Sequence, residues 1–169
     1  MELTESVKKA DKPRYWLTFL LNDFDVGDTF KPDELHLTIV PWFVTELDQA
    51  EVIKSFERKF MGQKALKVRV GGLGEFRNKR KIPINFVTSS AQLKHLHSMA
   101  LEWLSDLDAR WAVQEAHVGK DFVPHIRRRP GHNVSELDDI TLQTLNLVVG
   151  YRRGDDLRTL AAKVYLDEK

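Results

Sequence analysis

Two short stretches decide how this chain is interpreted: residues 35–41, which read LHLTIVP, and residues 122–130, which read FVPHIRRRP. Each puts a histidine into an apolar, strand-like run that contains proline. Side chains alternate between the two faces of a strand, so His36 and Thr38 share one face of the first strand. By the same rule, His125 and Arg127 share one face of the second strand.

Two such strands facing each other would bring together a general acid, a general base and an anion clamp. Those are the groups that phosphodiester chemistry needs. Each histidine also has a structural interpretation, because a histidine beside leucines is more often hydrogen-bonded within a core than catalytic. The catalytic hypothesis therefore rests on the pair, since His36 and His125 occur in the same apolar-histidine-apolar-polar pattern.

The composition is that of an ordinary globular protein and removes several kinds of site. The chain has 169 residues, 42% of them hydrophobic and 30% charged, which suits one domain or two tightly fused lobes. It contains no cysteine, so disulfides, thiolate metal sites and a cysteine nucleophile are excluded. The formal net charge of +1 does not by itself indicate nucleic-acid binding.

Basic residues are nevertheless clustered. Runs of them occur at residues 77–81, 127–129 and 152–153. A short charged run is usually a solvated loop, and it is also a place where an anionic ligand could be held. Arg127 is the strongest candidate of these, because it shares a strand face with His125.

The sequence also predicts location and domain organisation. No apolar run approaches the ~20 residues that span a bilayer, and residues 1–6 lack an apolar signal-peptide core. We therefore expect a cytoplasmic protein with no membrane partner, and we expect a monomer. Residues 1–13 are polar and are expected to form a flexible N-terminus, which leaves 14–169 as a single domain.

The order of the predicted elements indicates an α+β protein. Strands are predicted at 15–21, 35–40, 65–70, 82–88, 122–128, 140–151 and 160–166, with Pro41 closing the second and a loop at 22–34. One helix is expected to begin with Thr45 as its cap and to end at Gly62. Another is expected after Ser89 or Ser90. Strand–helix–strand order recurs in each half, which favours two related lobes that each donate one histidine strand.

Two further features are given structural interpretations. The glycines of residues 71–74 predict a turn or a bulge, because no Gly-Lys-Ser/Thr follows and no helix is predicted next, as a phosphate loop would require. His95 and His97 straddle the apolar stripe of the second helix. Metal ligands on one helix face need i,i+4 spacing, so both histidines are expected at the surface. No metal site and no cofactor are expected.

With these motifs in place, the chain resembles the two-histidine (2H) phosphoesterases. This superfamily includes the 2′-5′ RNA ligase-like proteins and the RNA 2′,3′-cyclic phosphodiesterases (LigT-like). Its mark is a pair of His-x-Thr/Ser motifs: HLT at 36–38 matches the first in full, and HIR at 125–127, preceded by VP, matches the second in its histidine. The glycine-rich segment, the strand at 82–88 and the second helix look like the superfamily's middle segment. The clear departure is Arg127, where the superfamily usually has Thr or Ser.

The resemblance implies a bilobal fold over residues 14–169, with two pseudo-symmetric sheet-and-helix lobes and His36 and His125 at the bottom of a central cleft. It also implies metal-independent hydrolysis of a 2′,3′-cyclic phosphate or a related phosphodiester, with RNA ends or a small cyclic nucleotide as the substrate. Histidine titrates near pH 6.5, so one ring can take a proton from water while the other donates one to the leaving ribose oxygen. Thr38 and Arg127 would hold the non-bridging oxygens. Which histidine is the base stays open.

Arg127 keeps other functions open. It could strengthen phosphate binding, or it could fill the cleft, which would leave an RNA- or nucleotide-binding module with little turnover. A structural or partner-binding α+β domain is a third interpretation. Trp42 or Phe43, directly after the first motif, could stack on a base, and Arg129 could contact a base or ribose. The alternative for the two aromatic residues is that both lie in the core.

Overall fold

The computed structural model describes residues 12–75, 83–88, 90–113, 118–128, 134, 138–151 and 157–167. Its elements, in chain order, are β1 (Arg14–Leu20), β2 (Thr29–Phe30), β3 (His36–Val44), α1 (Gln49–Phe60), β4 (Leu66–Glu75), β5 (Pro83–Val87), α2 (Ala91–Asp106), β6 (Arg110–Trp111), a 3₁₀ turn (Gly119–Asp121), β7 (His125–Arg127), β8 (Asp139–Leu142), β9 (Thr144–Gly150) and β10 (Arg158–Tyr165). Of the predicted flexible N-terminus 1–13, the structure describes only Lys12 and Pro13. The basic runs at 77–81 and 152–153 lie outside the described residues.

The described strands join into one sheet in the order β2-β10-β9-β1-β3-β7-β5-β4-β8, with β6 added to β3. All pairs between these strands are antiparallel. Helix α1 packs on β10, and helix α2 packs on β3 and on the 3₁₀ turn. The predicted α+β class is therefore confirmed. The two strands that carry the histidine motifs, β3 and β7, are neighbours in the middle of the sheet.

The sheet separates two clusters of buried apolar side chains. The larger cluster lies between the sheet and the helices, and includes Leu37 and Ile39 of β3, Ile126 of β7 and Trp103 of α2. The smaller cluster lies on the opposite face and is built from residues 16, 20, 30 and 148. Because Leu37 and Ile39 point toward the helices, alternation directs the side chains at 36 and 38 to the face of the smaller cluster.

Strand β3 does not end at Pro41, so that predicted boundary is wrong. Leu17 pairs with Val40, and Tyr15 pairs with Phe43. Moving two residues along β1 therefore corresponds to moving three residues along β3. The extra residue makes a β-bulge. Proline is tolerated at a bulge because no ladder N–H is required of it there.

The first helix is capped by a residue other than the predicted Thr45. Asp48 is the cap, since its side chain accepts a hydrogen bond from Glu51 N at 2.9 Å. Thr45 is buried instead, and its hydroxyl donates to Leu107 O at 2.7 Å, which ties the end of β3 to the end of α2. The predicted cap of the second helix is confirmed, because Leu93 N donates to Ser90 Oγ at 3.0 Å.

Two other strand predictions have different outcomes. The glycines after Val70 lie inside β4 at a register shift between Val70 and Leu73, so the predicted bulge is confirmed. The long strand predicted at 140–151 is wrong, because the chain changes neighbours at Gln143. Residues before it pair with β4, and residues after it pair with β1 and β10. The short β2 also occurs inside the predicted loop 22–34.

Candidate active site

The site is built where β3 and β7 meet. Their described pairing is antiparallel, with Leu37 opposite Ile126. That register sets His36 opposite Arg127 and Thr38 opposite His125. Because Leu37 and Ile126 are both buried toward the helices, all four polar side chains project from the other face. Directly opposed Cβ atoms in such a pair are ~4.5–5.5 Å apart and diagonal ones ~7–8 Å, so the two histidines are close diagonal neighbours.

Both histidines are oriented by the same local hydrogen bond. His36 Nδ1 donates to Glu34 O at 2.8 Å, and His125 Nδ1 donates to Val123 O at 2.8 Å. A carbonyl oxygen can only accept, so Nδ1 carries the proton in both rings. Nε2 is therefore the nitrogen of each ring that gains and loses a proton. Both rings are half-buried, which leaves them partly accessible from the sheet face.

Trp16 of β1 joins the first motif and is a site residue that the two sequence motifs do not contain. Its Nε1 donates to Thr38 Oγ1 at 3.0 Å. Its ring packs against the His36 imidazole, with centroids 4.5 Å apart and planes at 90°. Strand alternation is the signal that could identify Trp16 as a site residue. Once β1 is known to pair with β3, the even-numbered residues of β1 lie on the same face of the sheet as the side chains at 36 and 38.

The two arginines of the second motif lie on different faces. Arg127 is exposed and lies on the His125 face. Arg128 Nη1 donates to Asn85 Oδ1 at 3.1 Å, and Asn85 is fully buried. Arg128 is therefore held by the protein on the other side of the strand, while Arg127 remains on the histidine side. Arg129 lies outside the described residues.

The two aromatic residues after the first motif also separate. Trp42 is half-buried on the site face, 5.5 Å from the Trp16 ring, with the guanidinium groups of Arg14 and Arg158 at 5.2 and 5.3 Å from its own ring. Phe43 is 0% exposed in the core between the sheet and the helices. Phe43 cannot contact a base, and the alternative interpretation of a core position holds for it, because it lies on the helix side of the sheet together with Leu37 and Ile39.

His97 of α2 is buried, so the prediction that it lies at the surface is also wrong. It is 2% exposed, its Nδ1 donates to Ile39 O at 2.8 Å, and its Nε2 accepts from Gly119 N at 2.8 Å. Phe122 stacks on the imidazole, with centroids 4.0 Å apart. Burial lowers the pKa of His97, more than the hydrogen bond to Ile39 raises it. The spacing of His97 from the leucines of α2 is that of the apolar stripe, which is the sequence signal for its burial. His95 is exposed, as predicted.

Within the described ranges, no group of three or more His, Asp or Glu side chains is placed to hold a metal ion. Over the same residues, no helix has the length and apolar character needed to cross a membrane.

A family model described as the 2′-5′ RNA ligase superfamily matches residues 23–130, which is more than half of the chain and includes both histidine motifs. The chain belongs to the 2′-5′ RNA ligase superfamily. The resemblance to the 2H phosphoesterases seen in the sequence is thereby confirmed at the level of the superfamily. No curated protein sequence matches the chain significantly.

Solved structures share the fold of this superfamily member. TT0787 of Thermus thermophilus is 17% identical with a TM-score of 0.62, and the match covers 92% of this chain and 99% of that one. A structure described as a phosphoesterase is 15% identical with a TM-score of 0.61, and the match covers 94% and 100%. E. coli LigT in complex with 3′-AMP is 15% identical with a TM-score of 0.57, and the match covers 92% and 99%. At these identities the likeness establishes the fold.

Proposed function

We propose that this protein is a metal-independent phosphodiesterase that hydrolyses a 2′,3′-cyclic phosphate, or a related phosphodiester, at an RNA end or on a nucleotide. The observation that carries the proposal is the matched setting of two histidines on neighbouring strands. Both rings have Nδ1 tied to the backbone carbonyl two residues earlier, which assigns proton transfer to Nε2 in each. Both side chains belong to one face of the sheet.

In the proposed reaction, Nε2 of one histidine takes a proton from water as the water oxygen attacks phosphorus. The bond from phosphorus to one ribose oxygen breaks, and the second histidine gives its Nε2 proton to that oxygen. The cyclic phosphodiester becomes a phosphomonoester and a free ribose hydroxyl. The two rings are tied in the same way, so the orientation of the substrate determines which of His36 and His125 is the base.

The remaining two groups are suited to the negative charge of the phosphate. Thr38 lies across from His125, and its hydroxyl can donate to a non-bridging oxygen. Arg127 lies across from His36 and brings a full positive charge and a forked donor geometry. Charge grows on the non-bridging oxygens as water adds, so donors aimed at them stabilise the transition state more than the ground state.

A structural relative supports a nucleotide phosphate as the ligand. E. coli LigT, which shares the fold, has been crystallised with 3′-AMP and with phosphate. The indole of Trp42, half-buried on the site face beside the guanidinium groups of Arg14 and Arg158, is the ring of this chain that we propose to contact a base. We therefore propose RNA ends or small cyclic nucleotides as substrates.

The departure at Arg127 favours a second candidate, a nucleotide-binding module with little turnover. An exposed arginine directly across from His36 could hold a phosphate strongly without letting water reach phosphorus. The two candidates differ in one measurable respect, since the enzyme converts a 2′,3′-cyclic nucleotide and the module only binds it.

The test is to incubate the protein with 2′,3′-cyclic AMP and to follow the phosphomonoester product by ³¹P NMR. Replacing His36 or His125 by Ala should reduce the rate at least ~100-fold, the low end for a positioned acid or base. His95→Ala is the matched control, because His95 is an exposed histidine of α2 outside the site. Binding of the nucleotide without any product would reject the enzyme and select the binding module.

A further inference from the structure

Trp16 touches both polar members of the first motif. Its indole N–H reaches the Thr38 hydroxyl at 3.0 Å, and its ring lies perpendicular to the His36 imidazole with 4.5 Å between centroids. The side chain is 3% exposed. Water therefore competes little for the indole N–H, and a hydrogen bond in this setting is better defined than one at the surface.

The hydrogen bond restricts what the Thr38 hydroxyl can do. A hydroxyl has one hydrogen to donate and two lone pairs to accept with, whereas an indole N–H can only donate. Trp16 therefore occupies a lone pair and leaves the hydroxyl hydrogen to another acceptor. Among the described residues, Trp16 is the hydrogen-bond partner found for this hydroxyl, and it is not an acceptor. The hydrogen is thus available to an oxygen that enters from the site face.

Trp16 is itself held from more than one direction. The guanidinium of Arg158 lies 5.1 Å from the centroid of the Trp16 ring, and the Trp42 ring lies 5.5 Å away. The attraction between a guanidinium and an indole face adds to the packing that fixes the ring. An indole fixed in this way can in turn fix the groups that it contacts.

We propose that Trp16 is a positioning residue: its N–H commits the Thr38 hydroxyl to donate toward a phosphate oxygen, and its ring fixes the orientation of the His36 imidazole. The inference rests on the proposed function, because it assumes that a phosphate group occupies the face formed by β3 and β7. It adds a residue from a third strand to the site, which the two motifs alone do not contain.

The kinetic test is a double-mutant cycle between Trp16 and Thr38. Trp16→Phe keeps an aromatic ring and removes the N–H, and we expect kcat/KM for 2′,3′-cyclic AMP to fall about 3–10-fold, as for one lost hydrogen bond. Thr38→Val removes the hydroxyl with little change in shape. Once it is present, Trp16→Phe should change kcat/KM less than about 2-fold further, because the two residues act as a unit.

Trp103→Phe is the matched control. Trp103 Nε1 also donates to a hydroxyl, Ser55 Oγ at 2.8 Å, but it does so on the helix side of the sheet. This control should lower thermal stability and leave kcat/KM within about 2-fold of the parent. If Trp16→Phe lowers kcat/KM equally with and without the Thr38 hydroxyl, or behaves like Trp103→Phe, Trp16 is only a packing residue and the inference is overturned.

A readout without turnover separates this inference from the proposed function. In ¹⁵N NMR spectra, Thr38→Val should shift the Trp16 indole N–H resonance and accelerate its exchange with water. The affinity for inorganic phosphate should follow the same cycle as kcat/KM. A parent protein that hydrolyses nothing but binds phosphate with this coupling would reject the proposed function and retain the inference. A parent that neither hydrolyses 2′,3′-cyclic AMP nor binds phosphate would overturn both.

Discussion

Replacing His97 by Phe tests how a buried histidine behind the site supports the two motif strands. His97 connects Ile39 O, one residue beyond the first motif, to Gly119 N, in the segment that leads into β7. Phenylalanine keeps the ring that stacks on Phe122 and removes both hydrogen bonds. At about 0.5–1.5 kcal/mol for each bond, the substitution should cost about 1–3 kcal/mol of unfolding free energy.

The size of this effect should depend on pH, because burial lowers the pKa of His97 in the folded protein. The unfolded chain has an ordinary histidine pKa near 6.5, so on acidification it takes up a proton before the folded protein does. The contribution of a neutral His97 to stability is therefore complete above about pH 6.5. It is lost as the pH falls toward the lowered folded-state pKa, with a slope of at most about 1.4 kcal/mol per pH unit.

The assay is denaturant unfolding of the parent and of His97→Phe at several pH values between 5 and 8, with equal ionic strength. The difference in unfolding free energy should be largest at pH 7–8 and should shrink toward pH 5. Other titrating groups cancel in that difference, since they are common to both proteins. His95→Phe, at an exposed position of α2, should show no such dependence. A difference for His97→Phe that stays constant from pH 5 to 8, or grows toward pH 5, would refute the reasoning.

Substitutions at two other positions have expected outcomes with matched controls. Gly74→Ala should cost less than about 1 kcal/mol in thermal unfolding, because a Cβ there would lie 2.3 Å from Phe86 Cε2 but the Phe86 ring is exposed and can turn aside, and Gly72→Ala, with nothing within 4 Å, should be close to neutral. Arg127→Ala should weaken phosphate binding about 10–100-fold by titration calorimetry, as for a lost charge-assisted hydrogen bond, and Arg127→Thr should retain turnover. Arg128→Ala should lower stability by breaking the contact with Asn85, and it should leave the affinity for phosphate unchanged. Equal losses of phosphate affinity in Arg127→Ala and Arg128→Ala would show that Arg127 has no special position.

The arrangement of the histidine motifs could be predicted from the sequence because strand alternation is a local rule. Alternation predicts that Thr38 shares the face of His36. The pairing of Leu37 with Ile126 then brings the polar faces of the two motif strands to the same side of the sheet. The β4 bulge was predictable for a similar reason, since adjacent glycines weaken a strand locally.

The errors arose where tertiary contacts outweigh local pattern. Pro41 sits inside β3 because a bulge against β1 removes the need for its N–H. Thr45 has the chemistry of a helix cap, but its hydroxyl is used by Leu107 O instead. Trp16 was hidden because its role depends on which strand lies beside β3, and no local signal specifies that neighbour.

The central claim is that His36 and His125 together hydrolyse a phosphodiester without a metal. The most direct measurement is the pH dependence of kcat/KM for 2′,3′-cyclic AMP in the presence of excess chelator, for the parent and for His36→Ala and His125→Ala. We expect a bell-shaped profile for the parent that chelator does not change, and a loss of at least ~100-fold in each variant. Activity that disappears in chelator and returns with a divalent ion, or that survives loss of either histidine, would contradict the account.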